Sequence, residues 1–161
     1  MNQKKIIPRF EIREIITKLK AEKKTIVFTN GCFDILHSGH VKYLRKAAQY
    51  GNILVLGLNS DKSVKNIKGD KRPINKENYR ACVVEALFCI DYIVLFDEPD
   101  PMSLIKEIEP DVLVKGADWS IKNIIGSDFV KKKGGIVKTI NLEPDISTTI
   151  IINKIVEKYG K

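Results

Sequence analysis

The two histidines of this chain, His37 and His40, lie three residues apart where a predicted helix begins. Side chains at positions i and i+3 project from the same face of a helix. A helix N-terminus presents free N–H groups and partial positive charge, which attract phosphate and disfavour a protonated imidazole. Gly31 and Gly39, in the same segment, let a ligand approach the backbone closely. The segment therefore predicts a phosphate-binding site in which neutral imidazoles act as hydrogen-bond donors.

A basic loop and its polar neighbours form a second group of candidate residues. Asn59 and Asp61 follow the second predicted strand, and Lys68 and Arg72 lie in the loop after them. Arginine can hold a phosphate through two parallel hydrogen bonds, whereas lysine acts as a point charge. Arg80, on the next predicted helix, is placed to point back into the same cleft. The alternatives are an ordinary turn, a solvated basic loop and a surface arginine.

Two further segments with candidate binding residues lie towards the C-terminal end of the chain. One directly follows the fourth predicted strand and contains Lys115, Gly116, Asp118 and Trp119. The other, residues 147–149, is a Ser-Thr-Thr run at the start of the last predicted helix. Hydroxyls and free N–H groups at a helix start can hold a phosphate. Core packing of the single tryptophan and simple capping of the helix are the alternatives.

The hydrophobic pattern predicts how these segments meet, because short apolar runs alternate with amphipathic stretches along the chain. Strands are predicted at 25–29, 53–58, 92–96, 112–114 and 136–140. Helices are predicted at 9–23, 38–50, 75–89, 102–109, 125–133 and 148–158, with Asn75 and Ser147 as N-caps. The alternation predicts a single doubly wound, Rossmann-like α/β domain, with a five-stranded parallel sheet and helices on both faces. Ligands of such sheets bind beyond the carboxyl ends of the strands, where the candidate segments lie.

The composition fits one globular domain over residues 1–161. Apolar residues make up 43% of the chain and charged residues 30%, which excludes a disordered or low-complexity protein. No apolar run approaches the ~18 residues that a membrane helix needs, and the N-terminus lacks the apolar core of a signal peptide. The three cysteines form no CxxC pair, which favours a reducing, cytoplasmic location over a disulfide framework.

The net charge of +8 favours an anionic partner without identifying it, and a solvated lysine-rich surface explains it most simply. A nucleic-acid-binding module is one alternative. Against it, the basic residues are not interleaved with aromatic residues and no known binding motif is present. A zinc site is a second alternative, but its spacing would not be a standard one and its candidate ligands are only His37, His40, Cys32 and Asp34.

A family resemblance rests on the run Gly31-Cys32-Phe33-Asp34-x-x-His37-x-Gly39-His40. This run resembles the GxFDxxHxGH signature of the cytidylyltransferase-like nucleotidyltransferases. The wider run from Phe28 to His37 resembles one branch, the heptose 1-phosphate adenylyltransferases. The resemblance implies a nucleotidyltransferase core over 25–158, preceded by the helix at 9–23. The implied reaction moves AMP from ATP to a heptose 1-phosphate and yields ADP-heptose and pyrophosphate for lipopolysaccharide synthesis.

The resemblance also implies roles for the candidate residues. The catalytic residues that it implies, placed on the phosphates of the two substrates, are His37, His40, Lys68 and Arg72. The implied acceptor-binding residues are Asp34, Asn59, Asp61 and Arg80. The implied nucleotide-binding residues are Thr29, Asn30, Gly31, Cys32, Phe33, Gly39, Lys115, Gly116, Asp118, Trp119, Ser147, Thr148 and Thr149. We expect Mg²⁺ to enter with the nucleoside triphosphate and not on protein ligands.

Several features leave alternatives open. Relatives usually carry a glycine where this chain has Asp145, which places a negative charge near the expected phosphates. CTP in place of ATP would change the product to a CMP-sugar or a CDP-alcohol, and a catalytically inactive nucleotide sensor is a third possibility. Many relatives are fused to a sugar kinase, so we expect a separate kinase to supply the acceptor. The resemblance also implies a homodimer.

Overall fold

Five parallel strands form one sheet in the computed structural model, which describes residues 4–117 and 123–160. The strands are β1 (Ile26–Gly31), β2 (Ile53–Asn59), β3 (Tyr92–Phe96), β4 (Val112–Gly116) and β5 (Ile136–Ile140). Their order across the sheet is β3-β2-β1-β4-β5. The chain therefore builds outward from β1 on one side and then crosses to the other. This reversal opens a crevice at the carboxyl ends of β1 and β4.

Helices cover both faces of the sheet, which confirms the predicted fold class. They are α1 (Arg9–Ala21), α2 (Ser38–Ala48), α3 (Asp61–Lys68), α4 (Glu77–Glu85), α5 (Met102–Ile108), α6 (Ser127–Lys132) and α7 (Thr148–Tyr159). On one face, α2 and α4 bury residues such as Leu44 and Val84 against β1 and β2. On the other face, α1, α5 and α6 bury residues such as Ile12, Ile105 and Val130. Alternate residues of each strand supply the two apolar clusters, because successive strand side chains point to opposite faces.

The N-terminal segment closes one edge of the sheet. The Ile7 N–H donates to the carbonyl of Ile93 at 2.9 Å, and the Ile93 N–H donates to the carbonyl of Lys5 at 2.8 Å. These bonds pair the segment with the exposed side of β3. Covering the edge removes unpaired backbone groups that would otherwise be open to pairing with another chain. The chain then turns at Pro8 into α1, which returns across the sheet face.

Two helices are at least three residues shorter than predicted. The helix expected at 75–89 runs only from Glu77 to Glu85, and Lys76 occupies the N-cap position instead of Asn75. The Asn75 side chain is engaged elsewhere, because its Nδ2 donates to the carbonyl of Asp34 at 2.7 Å. The helix expected at 125–133 shortens to α6, which begins after Gly126 with φ at +87°. Ser147 does cap α7, since its Oγ accepts from the Ile150 N–H at 3.1 Å.

Within residues 4–117 and 123–160, we find no helix that has both the length and the apolar character required to span a membrane.

The packing of α1 predicts a contrast between two of its apolar residues. Ile12 is 0% exposed against the sheet, whereas Phe10 is 85% exposed. Ile12→Ala should lower the free energy of unfolding by about 2–5 kcal/mol, because it leaves a cavity in the core. Phe10→Ala, a larger truncation, should change it by less than about 0.5 kcal/mol. Urea denaturation of both variants measures the difference, and equal losses would contradict the packing of α1.

Candidate active site

A cleft of about 600 Å³ lies over the carboxyl ends of the strands and collects segments from most of the chain. Such a crevice is the common ligand site of parallel α/β sheets. Most of the predicted site residues line it: Asn30, Gly31, Cys32, Phe33, Asp34, His37, Gly39, His40, Asn59, Lys68, Arg72, Lys115, Gly116, Ser147, Thr148 and Thr149.

The two histidines stack at the start of α2, inside the cleft. Their ring centroids lie 3.7 Å apart with 23° between the ring planes. His37 occupies the N-cap position of α2 in an extended conformation, and His40 lies in the first turn. The Nδ1 atoms of both rings are buried without a hydrogen-bond partner among the described residues. A ligand with phosphate oxygens would satisfy such atoms, because buried polar groups are normally hydrogen-bonded.

Burial also sets the charge of both imidazoles. It lowers the pKa of His37 below its usual 6.5. For His40, burial and the neighbouring His37 together lower the pKa to about 4. Both rings are therefore neutral at neutral pH, as the position at a helix N-terminus predicts.

A buried carboxylate fixes the basic loop against the histidine segment. Asp34 is 2% exposed and accepts hydrogen bonds from Arg72 Nε at 2.6 Å, from the Ile74 N–H at 2.9 Å and from the Asn75 N–H at 2.8 Å. Burial alone would raise the pKa of Asp34, but the backbone donors and Arg72 outweigh it and lower that pKa. The carboxylate oxygens thus hold the loop in place, and Asp34 also lines the cleft.

Arg80 and Asp61 require a correction, because neither lines the cleft in the described structure. Arg80 is 1% exposed, and its Nη1 donates to the carbonyls of Cys32 at 2.6 Å and Asn59 at 2.8 Å. Its Nε donates to the carbonyl of Asn75 at 3.0 Å, and its Nη2 pairs with Asp61 at 2.9 Å. The buried guanidinium thus connects the end of β2 with the loops that contain Cys32 and Asn75, and Asp61 is its counter-ion.

One of the predicted nucleotide-binding residues, Thr29, does not line the cleft in the described structure. Thr29 is fully buried, and its hydroxyl shares a hydrogen bond with the hydroxyl of Tyr43 at 2.7 Å. Its role is therefore to join β1 to α2. Asp118 and Trp119 lie outside the described residues.

Across the crevice, β1 and β4 are linked at their carboxyl ends. The Nζ of Lys115, which belongs to β4, donates to the side-chain oxygen of Asn30, which belongs to β1. Both residues line the cleft. The lysine thereby places a positive charge at the point where the strand order reverses.

The start of α7 faces the start of α2 across the cleft. A Cβ built on Gly39 would lie 3.1 Å from the His37 ring and 3.3 Å from Ile146, so glycine allows this close approach. Thr148 Oγ1 donates to the carbonyl of Ile35 at 3.5 Å, which ties α7 to the histidine segment. Two helix N-termini, each a favourable position for phosphate, therefore open into one cleft.

Of the two acidic residues before α7, one lies outside the cleft and the other is paired with a lysine. Asp145, which replaces the usual glycine, is exposed and does not line the cleft in the described structure. Glu143 lines the cleft but pairs with Lys42 at 3.0 Å.

Sequence reasoning missed the segment after β3 and an apolar wall. Residues 99–101, a Pro-Asp-Pro run, line the cleft on the side of β2 and β3. The rule that ligand sites follow strand ends would have identified this run. The apolar wall lies on the side of β4 and β5 and comprises Ile124, Ile125, Leu142, Ile146 and Ile150. Apolar residues in loops carry no distinctive sequence signal, so only the fold reveals this wall.

The fold and the site together define a class. Residues 28–154 match the family model described as cytidylyltransferase-like. The chain belongs to this family of nucleotidyltransferases, which confirms the resemblance drawn from its sequence. Among curated proteins, it is 54% identical over 147 residues to the Bifunctional protein HldE of Geobacter metallireducens, covering 91% of this chain and 30% of that protein. It is 51% identical over 145 residues to the protein of that name from Campylobacter jejuni subsp. doylei, covering 90% and 31%.

Solved structures support the same assignment. The lipopolysaccharide core biosynthesis protein from Thermoplasma volcanium matches with a TM-score of 0.60 and 30% identity, covering 74% of this chain and 97% of that chain. Pantoate-beta-alanine ligase from Francisella tularensis matches with a TM-score of 0.63 but only 14% identity, covering 94% and 77%, and so supports the fold alone. The chain spans only about 30% of the length of the curated relatives it matches.

The hydrogen bonds of Asp34 predict that its charge is needed for a stable loop. Asp34→Asn should lower the free energy of unfolding by about 2–4 kcal/mol, because it leaves Arg72 unpaired and weakens two backbone hydrogen bonds. Asp70→Asn is the matched control, since that carboxylate is 90% exposed beside Lys65 and should change stability by less than about 0.5 kcal/mol. Chemical denaturation compares the two variants, and an unaffected Asp34→Asn would contradict the role of the carboxylate.

The lowered pKa of His40 predicts a loss of stability in acid. Between about pH 6.5 and about pH 4, the unfolded chain binds a proton at this residue that the folded chain does not, so acidification favours unfolding. We expect His40→Gln to remove part of this dependence. Urea denaturation at about pH 7 and about pH 5 should then show a smaller loss for the variant than for the wild type. Equal losses of stability in the variant and the wild type would show that His40 is protonated as readily in the folded state as in the unfolded state.

Proposed function

We propose that this chain transfers AMP from ATP to a heptose 1-phosphate and releases ADP-heptose and pyrophosphate. The observation that carries the proposal is the pair of neutral, stacked imidazoles between two helix N-termini, whose Nδ1 atoms have no hydrogen-bond partner in residues 4–117 and 123–160. Such a site offers neutral donors and partial positive charge to phosphate oxygens. The similarity to proteins named Bifunctional protein HldE and to a lipopolysaccharide core biosynthesis protein supports the sugar phosphate as acceptor.

The reaction needs no nucleophile from the protein. An oxygen of the heptose 1-phosphate attacks the α-phosphorus of ATP in line, the new P–O–P bond forms, and the bond to pyrophosphate breaks with its electron pair. Catalysis then consists of alignment and of stabilising the negative charge on the phosphoryl oxygens. His37 and His40 are proposed to donate hydrogen bonds to the transferred phosphoryl group, and Lys68 and Arg72 to neutralise charge at the edge of the cleft.

The sheet order divides the cleft between the two substrates. We place the nucleotide on the side of β4, β5 and α7, where Lys115, the Ser-Thr-Thr run and the apolar wall lie. The free N–H groups of α7 would bind the departing pyrophosphate. The acceptor is placed on the side of β2 and β3, against Asn59 and residues 99–101.

The residues of the cleft fit Mg²⁺ that arrives bound to the triphosphate. The described part of the chain holds no group of three or more His, Cys, Asp or Glu side chains suited to a metal ion. The Asp34 carboxylate is already occupied by three donors. Oxygens of the triphosphate and water would therefore supply the ligands, which is the usual mode of Mg²⁺ binding with nucleotides. Bound in this way, Mg²⁺ would neutralise charge on the phosphates.

The wider setting is proposed on the same basis. A kinase activity outside residues 1–161 would supply the acceptor, in keeping with relatives that are named bifunctional. A homodimer is proposed from the family resemblance, and the exposed Ile155, Val156 and Tyr159 of α7 would suit burial against a second copy. The three cysteines are free thiols, which agrees with a cytoplasmic reaction.

Pyrophosphate release tests the proposal directly. With Mg²⁺ present, we expect release from ATP only when D-glycero-β-D-manno-heptose 1-phosphate is added. His37→Ala and His40→Ala should each reduce kcat by about 10²–10⁴-fold, because each removes a donor to the phosphoryl oxygens. Lys24→Ala, which alters an exposed turn before β1, is the control and should keep the wild-type rate.

Other outcomes of this assay would overturn parts of the proposal. Release from CTP alone would keep the phosphoryl chemistry and change the product to a CMP-sugar. No release from either nucleotide would contradict the acceptor or the activity. Binding to duplex DNA that weakens steeply with salt, with no preference among nucleotides, would favour a nucleic-acid-binding module.

A further inference from the structure

Arg9, the first residue of α1, uses all three of its side-chain nitrogens in contacts far along the chain. Its Nη1 pairs with Glu98 at 2.5 Å, and its Nε and Nη2 pair with the two oxygens of Glu107 at 3.1 and 2.6 Å. The Nη2 also donates to Ser103 Oγ at 2.9 Å. The Arg9 side chain is 29% exposed, and the carboxylates beside it are similarly shielded at 34% and 30%. A bidentate arginine–carboxylate network of this kind is more rigid than an ordinary surface ion pair.

The residues that contact Arg9 lie on both sides, in sequence, of residues 99–101, which form one wall of the cleft. Glu98 immediately precedes residues 99–101, and Ser103 and Glu107 follow them on α5. Residues 99–101 line the cleft, whereas Arg9 does not line it in the described structure. Asp100 accepts from the Met102 N–H at 2.8 Å, which joins this run to the start of α5. The two prolines restrict the backbone, so the run should shift as one piece if its outer anchor is lost.

Hydrogen bonds also connect Glu98, the residue before this wall, to a residue that lines the cleft. Ser63 Oγ donates to the carbonyl of Glu98 at 2.8 Å and accepts from Asn59 Nδ2 at 3.0 Å. Asn59 ends β2 and lines the cleft. A continuous set of contacts therefore runs from Arg9 through Glu98 and Ser63 to Asn59.

We propose that Arg9 is a positioning residue for the acceptor, which holds residues 99–101 and Asn59 in place on the β2 and β3 side of the cleft. This inference rests on the proposed function, since it takes the acceptor to bind on that side. Among the described residues, Arg9 and its partners make no hydrogen bond or ion pair with the nucleotide side, which is formed by β4, β5 and α7. Loss of Arg9 should therefore weaken the binding of one substrate and spare the other.

The arrangement requires arginine and not a positive charge alone. The planar guanidinium reaches two carboxylates and a hydroxyl at once, whereas a lysine ammonium would hold only part of this set. Arg9→Lys should therefore fall between the wild type and Arg9→Ala.

Steady-state kinetics with ATP and heptose 1-phosphate tests the proposal. We expect Arg9→Ala to raise the KM for the acceptor by about 5–20-fold, while the KM for ATP and kcat stay within about twofold. Lys20→Ala is the matched control. It breaks another contact of α1, from Lys20 Nζ to the carbonyl of Glu109 at 2.5 Å, directly after α5. Neither Lys20 nor Glu109 lines the cleft in the described structure. It should leave both KM values unchanged.

Amide hydrogen exchange provides a second readout that does not depend on activity. Arg9→Ala should speed exchange in a peptide covering residues 97–102, and Lys20→Ala should not. Unchanged exchange there, an unchanged acceptor KM, equal rises of both KM values, or the same effect from Lys20→Ala would each overturn the proposal. Absence of wild-type activity with these substrates would instead overturn the proposed function and, with it, the assignment of this wall to the acceptor.

Discussion

The arrangement of the cleft depends on the hydrogen bonds that the buried carboxylate of Asp34 accepts. Asp34 belongs to the histidine segment, and its oxygens accept hydrogen bonds from three donors in residues 72–75, about forty positions further along the chain. A charge this deeply buried is tolerated only when its oxygens are satisfied. Arg80, beneath the cleft, connects the same part of the structure by donating hydrogen bonds to three backbone carbonyls. Asp34 and Arg80 thus fix the segments that follow β1 and β2, and the residues proposed to bind phosphate lie on or next to these segments.

The cleft combines neutral histidines with two cations, Arg72 and Lys115, that contact side chains of the protein. Arg72 pairs with Asp34, and the Nζ of Lys115 contacts Asn30, so both side chains are held in position in the cleft. The two imidazoles remain uncharged because burial lowers the pKa of each. Hydrogen-bond donors that are positioned in advance need little reorganisation as negative charge develops on a phosphoryl group. The fold therefore contributes to catalysis mainly by orientation, which suits a reaction without a protein nucleophile.

The strands and the histidine segment could be predicted from the sequence because their signals are local. The β-branched runs of β1 and β2 and the spacing of His37 and His40 need no information about distant residues. The position of Arg80 could not be predicted, since the guanidinium bonds to carbonyl groups from three segments that are far apart in the sequence. The Asn75 side chain likewise bonds to the carbonyl of Asp34 instead of capping α4. Local propensity thus determines the elements, whereas these long-range polar contacts determine which charged residues reach the cleft.

The central claim is that His37 and His40 are neutral imidazoles whose Nδ1 atoms, which have no partner among the described residues, bind phosphate oxygens. Because the chain has only two histidines, a pH titration followed by NMR would report on both imidazoles without interference. We predict that in the free protein both titrate below 6.5, with His40 near 4. Saturation with ATP and Mg²⁺ should raise both pKa values, because phosphate oxygens favour the protonated ring. Two imidazoles that titrate near 6.5 and do not respond to ATP would contradict the account.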